Sequence, residues 1–185
     1  MIGINEIKTG KTILLFDEPY IVMSHEHSKT GRAGAVLRTK LKNLVTGATV
    51  DKTFQGAEKV DEPVLSKSTA QYLYRDGDDF NFMDNGSYEQ FSLPKAVLGT
   101  IPGYLVEGTE VAVQNWNGNA INVEIPVKVT LAVTDAPPNV KGDTSSGGDK
   151  VVTLETGLTV TTPLFVVVGD KIIVNTDRGT YVSRA

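Results

Sequence analysis

The residue with the clearest chemical potential is an arginine in a loop of small residues. Arg32 stands between Thr30-Gly31 and Ala33-Gly34, where no large neighbour would bury it. A guanidinium group presents five donors to phosphate or sugar oxygens and also stacks on nucleobases. The loop is therefore a candidate RNA contact. The alternative from the pattern alone is a solvated hairpin whose cations guard an edge strand against aggregation.

The segment after this loop alternates strictly in character. One face would carry Ala35, Leu37, Thr39 and Leu41, and the other Val36, Arg38, Lys40 and Lys42. A period of two predicts a strand with a buried face and an exposed face. The exposed face would continue the basic surface of the loop, so we predict that Arg38, Lys40 and Lys42 contact RNA.

Other candidate sites are weaker. His25 and His27 would share one strand face, but no third ligand is visible and the chain has no cysteine, so we predict no metal site. The segment 141–148 is rich in Gly and Ser but lacks the Gly-Lys-Ser/Thr ending of a nucleotide-binding loop. Asp143 has no partner for acid–base work, and no Ser-His-Asp set is suggested. We therefore expect no enzyme activity and no cofactor.

Composition places the chain among soluble proteins. Hydrophobic residues make up 40% and charged residues 22% of the 185 positions. No apolar run approaches the roughly 18 residues of a membrane span. Without cysteine, disulfides and thiol catalysis are excluded. We expect a cytoplasmic protein with no membrane partner.

Charge is distributed unevenly along the chain. Residues 1–64 carry nine Lys and Arg against eight Asp and Glu, residues 65–128 four against eight, and residues 129–185 five against six. The net charge is −4, and the positive charge lies at the N-terminal end. Such a chain would contact RNA locally and would not coat a nucleic acid along its length, so DNA is not expected as a partner.

Short strands separated by turns are predicted along the whole chain. Predicted features are a turn at 17–19, a hairpin tip at 28–34, an aromatic hairpin face of Tyr72, Tyr74, Phe80 and Phe82, a short helix within 94–105, and strands at 127–133, 151–154, 163–168 and 171–174. Acidic neighbours make the aromatic face a better barrel core than a base-stacking platform. The fold class is all-β, with three small β-barrels in a row: an SH3-like barrel (1–64) and two OB-type barrels (65–128 and 129–185).

The whole chain also resembles the bacterial elongation factor P family, in its Arg-tipped form. The resemblance rests on the segments 29–35, 38–44, 52–54, 72–74, 82–84, 88–90, 142–144 and 179–184. It implies an L-shaped tRNA mimic with an SH3-like (KOW-type) domain and two OB folds. Its partners would be the 70S ribosome, peptidyl-tRNA and ribosomal RNA, and the protein would act as a monomer.

The resemblance also implies a function and site residues. Family members enter the ribosome between the peptidyl-tRNA and exit sites and promote peptide bonds at consecutive prolines. The tip at the acceptor end of the peptidyl-tRNA maps onto Lys29, Gly31, Arg32 and Ala33. The family's loop near the exit-site codon maps onto Gly142, Asp143 and Thr144.

The tip differs from those of many relatives. A Lys within Pro-Gly-Lys-Gly is modified in many members, and that modification cannot occur at Arg32. The neighbours of Arg32 also differ from the Ser-Gly-Arg-Asn of rhamnosylated relatives. We therefore expect an unmodified Arg32, with an Arg32-modifying enzyme as the other possibility. Two alternative functions stay open: a ribosome-independent single-stranded-RNA-binding OB protein, and a paralogue with different stalling targets.

Overall fold

A computed structural model of the chain describes residues 1–29, 35–138 and 148–185. Within these ranges the regular structure is almost entirely strand, and the strand pairs are antiparallel. No helix in the same ranges has the length and apolar character needed to cross a membrane. The prediction of an all-β fold is confirmed.

The N-terminal unit is a curved sheet closed by a small ribbon. It contains β1 (Ile2–Gly3), a 3₁₀ helix (Ile4–Glu6), β2 (Thr12–Leu15), β3 (Glu18–Lys29), β4 (Ala35–Asn43), β5 (Thr49–Gln55) and β6 (Lys59–Val60). The sheet has the order β2-β3-β4-β5, and β1 pairs with β6. The apolar face of β4 supplies Leu37 and Leu41 to a core that also includes Phe54. The strict alternation predicted for β4 is therefore confirmed.

The turn between β2 and β3 lies one residue earlier than predicted. Phe16 and Asp17 form it with φ values of +52° and +59°, and Pro19 is already paired with Leu14 in the sheet. A two-residue turn with positive φ at both positions matches the right-handed twist of the flanking strands. Hairpin geometry therefore outweighed the usual turn preference of Glu18-Pro19.

The middle unit is a second barrel-like sheet. It contains β7 (Leu65–Asp76), β8 (Asp79–Asp84), β9 (Gln90–Pro94), α1 (Lys95–Leu98), a 3₁₀ helix (Ile101–Tyr104), β10 (Glu110–Trp116) and β11 (Asn119–Glu124). The order is β11-β10-β7-β8-β9, and the edge strands β9 and β11 contact each other. The helix predicted within 94–105 is thus present as two short pieces, separated at Gly99, which has a φ of +62°.

The aromatic face of the middle hairpin is only partly as predicted. Tyr72, Phe80 and Phe82 are buried together, but Tyr74 is 53% exposed. A β-bulge between Tyr72 and Tyr74 shifts the register and turns the second tyrosine outward. The core interpretation is confirmed for three of the aromatic residues and is wrong for Tyr74.

The C-terminal unit is a third barrel-like sheet. It contains β12 (Lys128–Asp135), β13 (Asp149–Leu154), β14 (Thr159–Pro163), β15 (Lys171–Asn175) and β16 (Thr180–Arg184). The order is β14-β13-β12-β15-β16, and β14 contacts β16. Side chains from the preceding unit, Tyr104 among them, pack into its core.

The strand predicted at 163–168 is wrong. Only Pro163 belongs to a strand, and the rest of the apolar run is a loop. Val166 is buried in the core, whereas Phe165 and Val168 are exposed. The backbone N–H of Val167 donates to the Asp170 carboxylate, not to a neighbouring strand. A short apolar run therefore indicated burial of one residue, but not sheet pairing.

Candidate nucleic-acid interface

The basic face of β4 lies in the middle of the N-terminal sheet. Arg38 and Lys40 are exposed on this strand, while Leu37, Thr39 and Leu41 between and beside them are buried. The Thr39 hydroxyl donates to the carbonyl oxygen of Lys52 on β5 at 2.8 Å, which satisfies this polar side chain on the inner face. The alternation thus holds two cations on a rigid surface.

Acidic residues face these cations across the sheet. Glu26 on β3 is the register partner of Arg38, and Asp51 on β5 is the register partner of Lys40. Among the described residues, no ion pair joins either cation to a carboxylate. The two cations therefore share this face with two carboxylates, which lower its net positive charge.

A shallow groove runs across this face. Its volume is about 450 Å³, and it is lined by Ser24, His25, Glu26, Arg38, Thr39, Lys40, Asp51, Lys52 and Thr53. Its cationic and hydroxyl groups can donate hydrogen bonds to phosphate and ribose oxygens, whereas the carboxylates of Glu26 and Asp51 can only accept them, from ribose hydroxyls or base amino groups. The sequence alone did not identify four of these residues, because only the strand register places them beside β4: Ser24, Glu26, Asp51 and Thr53.

The tip of the hairpin continues from the same strands. Lys29 at the end of β3 pairs with Ala35 at the start of β4. The predicted tip residues Gly31, Arg32 and Ala33 lie outside the described residues, as do the third-unit residues Gly142, Asp143 and Thr144. The register nevertheless fixes the last described pair of the hairpin, Lys29 and Ala35. Of the three predicted RNA contacts on β4, Arg38 is the nearest to this end of the strand.

Lys42 differs from the other two predicted contacts. Its Nζ donates a hydrogen bond of 2.5 Å to the carbonyl oxygen of Val97 in α1, and its side chain is half-buried. Burial lowers the pKa of the Lys42 ammonium group below its usual range. Lys42 therefore lies at the junction with the middle unit, apart from Arg38 and Lys40.

The two histidines make local contacts. Nδ1 of His25 accepts hydrogen bonds from the backbone N–H and hydroxyl of Thr9 at 3.1 and 2.9 Å. The rings of His25 and His27 lie edge to face, 6.0 Å apart. Within the described ranges, no group of three or more His, Asp or Glu side chains could hold a metal ion.

Family models match each unit in turn. Residues 3–60 match the elongation factor P KOW-like domain, residues 65–123 the elongation factor P OB domain, and residues 129–184 the elongation factor P C-terminal domain. The matches follow the family's domain order and together span nearly the whole chain. The chain belongs to the elongation factor P family.

Solved structures of translation factors are also similar. One is a eukaryotic translation initiation factor 5A from Methanococcus jannaschii, with 22% identity, a TM-score of 0.47, and coverage of 67% of this chain and 93% of that one. Another is a translation initiation factor eIF-5A family protein from Naegleria fowleri, with 14% identity, a TM-score of 0.43, and coverage of 66% and 94%. The assignment to the elongation factor P family rests on the three family models.

Proposed function

We propose that this elongation factor P, of the Arg-tipped bacterial form, stimulates peptide-bond formation at consecutive prolines. It binds the 70S ribosome between the peptidyl-tRNA and exit sites and positions the acceptor end of the peptidyl-tRNA. The observation that carries the proposal is the hairpin of β3 and β4, which bears the exposed cations Arg38 and Lys40 and ends at Lys29 and Ala35, on either side of the segment that contains Arg32 in the sequence. Family membership places this hairpin in a translation factor.

The proposed mechanism is positioning, with no chemistry by this chain. Proline has a fixed φ and lacks an N–H, so a nascent chain ending in proline places its reacting groups poorly. A guanidinium that holds the acceptor end would favour the reactive arrangement. No acid, base or nucleophile is required from the factor, so it is not itself an enzyme.

Each part of the chain has a proposed contact. The tip residues Lys29, Gly31, Arg32 and Ala33 contact peptidyl-tRNA, with Arg32 unmodified. Arg38 and Lys40 bind the backbone of ribosomal RNA. Gly142, Asp143 and Thr144 lie toward the exit-site codon. The factor acts as a monomer in the cytoplasm.

The test is a reconstituted bacterial translation system that lacks this factor. Full-length yield is measured from a reporter with three consecutive prolines and from a matched reporter without them. We expect the protein to raise only the proline reporter. We also expect Arg32→Ala to lose this effect and Lys59→Ala, which removes an exposed cation on β6, to keep it.

Two results would contradict the proposal. Equal rescue by Arg32→Ala and the unaltered protein would remove the tip from the mechanism. No rescue by recombinant or native-source protein, together with tight binding of short single-stranded RNA without ribosomes, would favour a free RNA-binding protein. The excess of acidic over basic residues in 65–128 argues against that alternative.

A further inference from the structure

The end of β4 makes a polar contact with the middle unit. Nζ of Lys42 lies 2.5 Å from the carbonyl oxygen of Val97, near the C-terminus of α1. The last carbonyl groups of a helix have no partner within the helix, and a lysine side chain is a common donor to them. Among the described residues, no carboxylate forms an ion pair with Lys42. The Lys42 ammonium group thus donates its hydrogen bond to the Val97 carbonyl oxygen and is not paired with a carboxylate there.

The turn that follows β4 makes a second contact with α1. Gly47 has a φ of +77°, and a Cβ at this position would lie 2.7 Å from the carbonyl carbon of Ala96 and 2.8 Å from its oxygen. Only glycine permits this close approach of two backbones without displacement. The turn between β4 and β5 therefore contacts the backbone of α1 directly.

The turn that presents Gly47 is held in place from within. Oδ1 of the buried Asn43 accepts hydrogen bonds from the N–H groups of Val45 and Thr46, and Nδ2 donates to the carboxylate of Glu18. The turn is therefore a rigid base for the contact with α1.

We propose that Lys42 is a positioning residue that fixes the angle between the N-terminal unit and the middle unit, and through it the place of the β3–β4 tip. It acts through α1 and makes no contact with RNA. The functional consequence rests on the proposed function given above, whereas the structural role does not.

The length of β4 explains why one contact at its base matters. From Lys42 back to Ala35 the strand spans roughly 23 Å at about 3.3 Å per residue. A change of about 10° at the base would therefore move the start of the tip by roughly 4 Å over that strand length. A misplacement of about 1 Å at a reacting centre is enough to cost a large factor in rate.

The experiment compares Lys42→Met with Lys42→Arg and Lys40→Met in the full chain. The first removes the ammonium but keeps most of the length, the second keeps a donor, and the third removes a neighbouring exposed charge. Because the chain has no cysteine, Gln55→Cys and Asn119→Cys provide unique spin-label sites on exposed positions of the two units. Pulsed electron paramagnetic resonance then measures the distribution of distances between the two spin labels.

We expect Lys42→Met to widen the distance distribution about two-fold or more, while Lys42→Arg and Lys40→Met stay close to the unaltered protein. Superimposable distributions for Lys42→Met and the unaltered protein would overturn the proposal. Gly47→Ala is the second variant, and it should shift the mean distance if α1 is displaced. Unchanged distances in both Lys42→Met and Gly47→Ala would leave the junction without a role in the angle.

Two further readouts separate positioning from RNA contact. Lys42→Met should lower the proline-reporter yield and leave the salt dependence of ribosome binding unchanged, while Lys40→Met should reduce that dependence. A reduced salt dependence in Lys42→Met would overturn the proposal, because it would mean a direct phosphate contact. If the unaltered protein fails to rescue the reporter, the proposed function fails, and the distance measurement still decides the role of Lys42.

Discussion

The hydroxyl of Thr156 donates a 2.6 Å hydrogen bond to the carbonyl oxygen of Gly103, and so joins the C-terminal unit to the 3₁₀ helix of the middle unit. The next residue along, Tyr104, is 6% exposed and packs among the core residues of the C-terminal sheet. Gly103 itself lies against Leu158, since a Cβ there would stand 3.4 Å from its side chain. The two units therefore share a core.

Truncation of this shared tyrosine should destabilise the protein. We expect Tyr104→Ala to lower the free energy of unfolding by about 3 kcal/mol or more, because a buried aromatic ring is lost and a cavity remains. Tyr74→Ala, at a largely exposed tyrosine, is the control and should cost less than about 1 kcal/mol. Urea unfolding measures both. Equal losses in the two variants would mean that Tyr104 adds nothing to the core.

Gly47→Ala should lower the free energy of unfolding by more than an alanine at another glycine with positive φ. Gly10→Ala is the matched control, since Gly10 has a φ of +86° and open space around it. The control should lose about 1 kcal/mol from backbone strain alone. Gly47→Ala adds the clash with Ala96, so its loss in unfolding free energy should be clearly larger. Similar midpoints in thermal unfolding for the two variants would show that α1 moves aside freely.

The basic face of β4 should control the salt dependence of ribosome binding. Removal of one phosphate contact should reduce the slope of log affinity against log salt by roughly 0.7–0.9. We expect this for Arg38→Met and for Lys40→Met, and no change for Lys59→Met on β6. Binding is measured by sedimentation with ribosomes over a series of salt concentrations. An unchanged slope in both variants would exclude this face from the interface.

Asp170 should make stability depend on pH at the acid end. The backbone N–H of Val167 and the guanidinium of Arg184, which lies 2.6 Å from its Oδ2, lower the pKa of this carboxyl group. An ionised carboxylate with a lowered folded-state pKa stabilises the fold above its unfolded pKa, and that contribution is lost as the pH falls through the folded pKa. Asp170→Asn should therefore be less stable than the unaltered protein at pH 7, and the difference should shrink below about pH 4.

The control for this pH effect is Asp149→Asn, at an exposed carboxylate on β13. Its free energy of unfolding should follow that of the unaltered protein across the whole range. A constant difference between Asp170→Asn and the unaltered protein from pH 7 to pH 2 would contradict the predicted linkage.

Local patterns in the sequence were sufficient to predict burial where a strand has one face in the core and the other face exposed to solvent. The alternation in β4 correctly predicted the burial of Leu37 and Leu41 and the exposure of Arg38 and Lys40. It could not predict that Lys42, in the same phase, would meet a carbonyl group 55 positions along the chain. Contacts between units leave no periodic signal, because they depend on how finished sheets pack.

The remaining differences arise from backbone irregularities. A bulge beside Tyr72 changes the phase of the strand, so alternation alone placed Tyr74 on the wrong face. The apolar run at 163–168 has the composition of a strand, but its one buried residue, Val166, is presented by a loop. Neither feature alters the residue pattern from which strands are predicted.

The pairing of β1 with β6 and the position of Tyr104 imply that the units can complete their cores at different stages of synthesis. Ile2 pairs with Val60, so the N-terminal unit has every strand it needs once its sixtieth residue has emerged. Tyr104 emerges long before Ile172 and Val174, which are part of its core. A nascent chain must therefore carry this side chain unburied until its last strands are made, and a fragment that starts at residue 129 would leave a hole where it belongs.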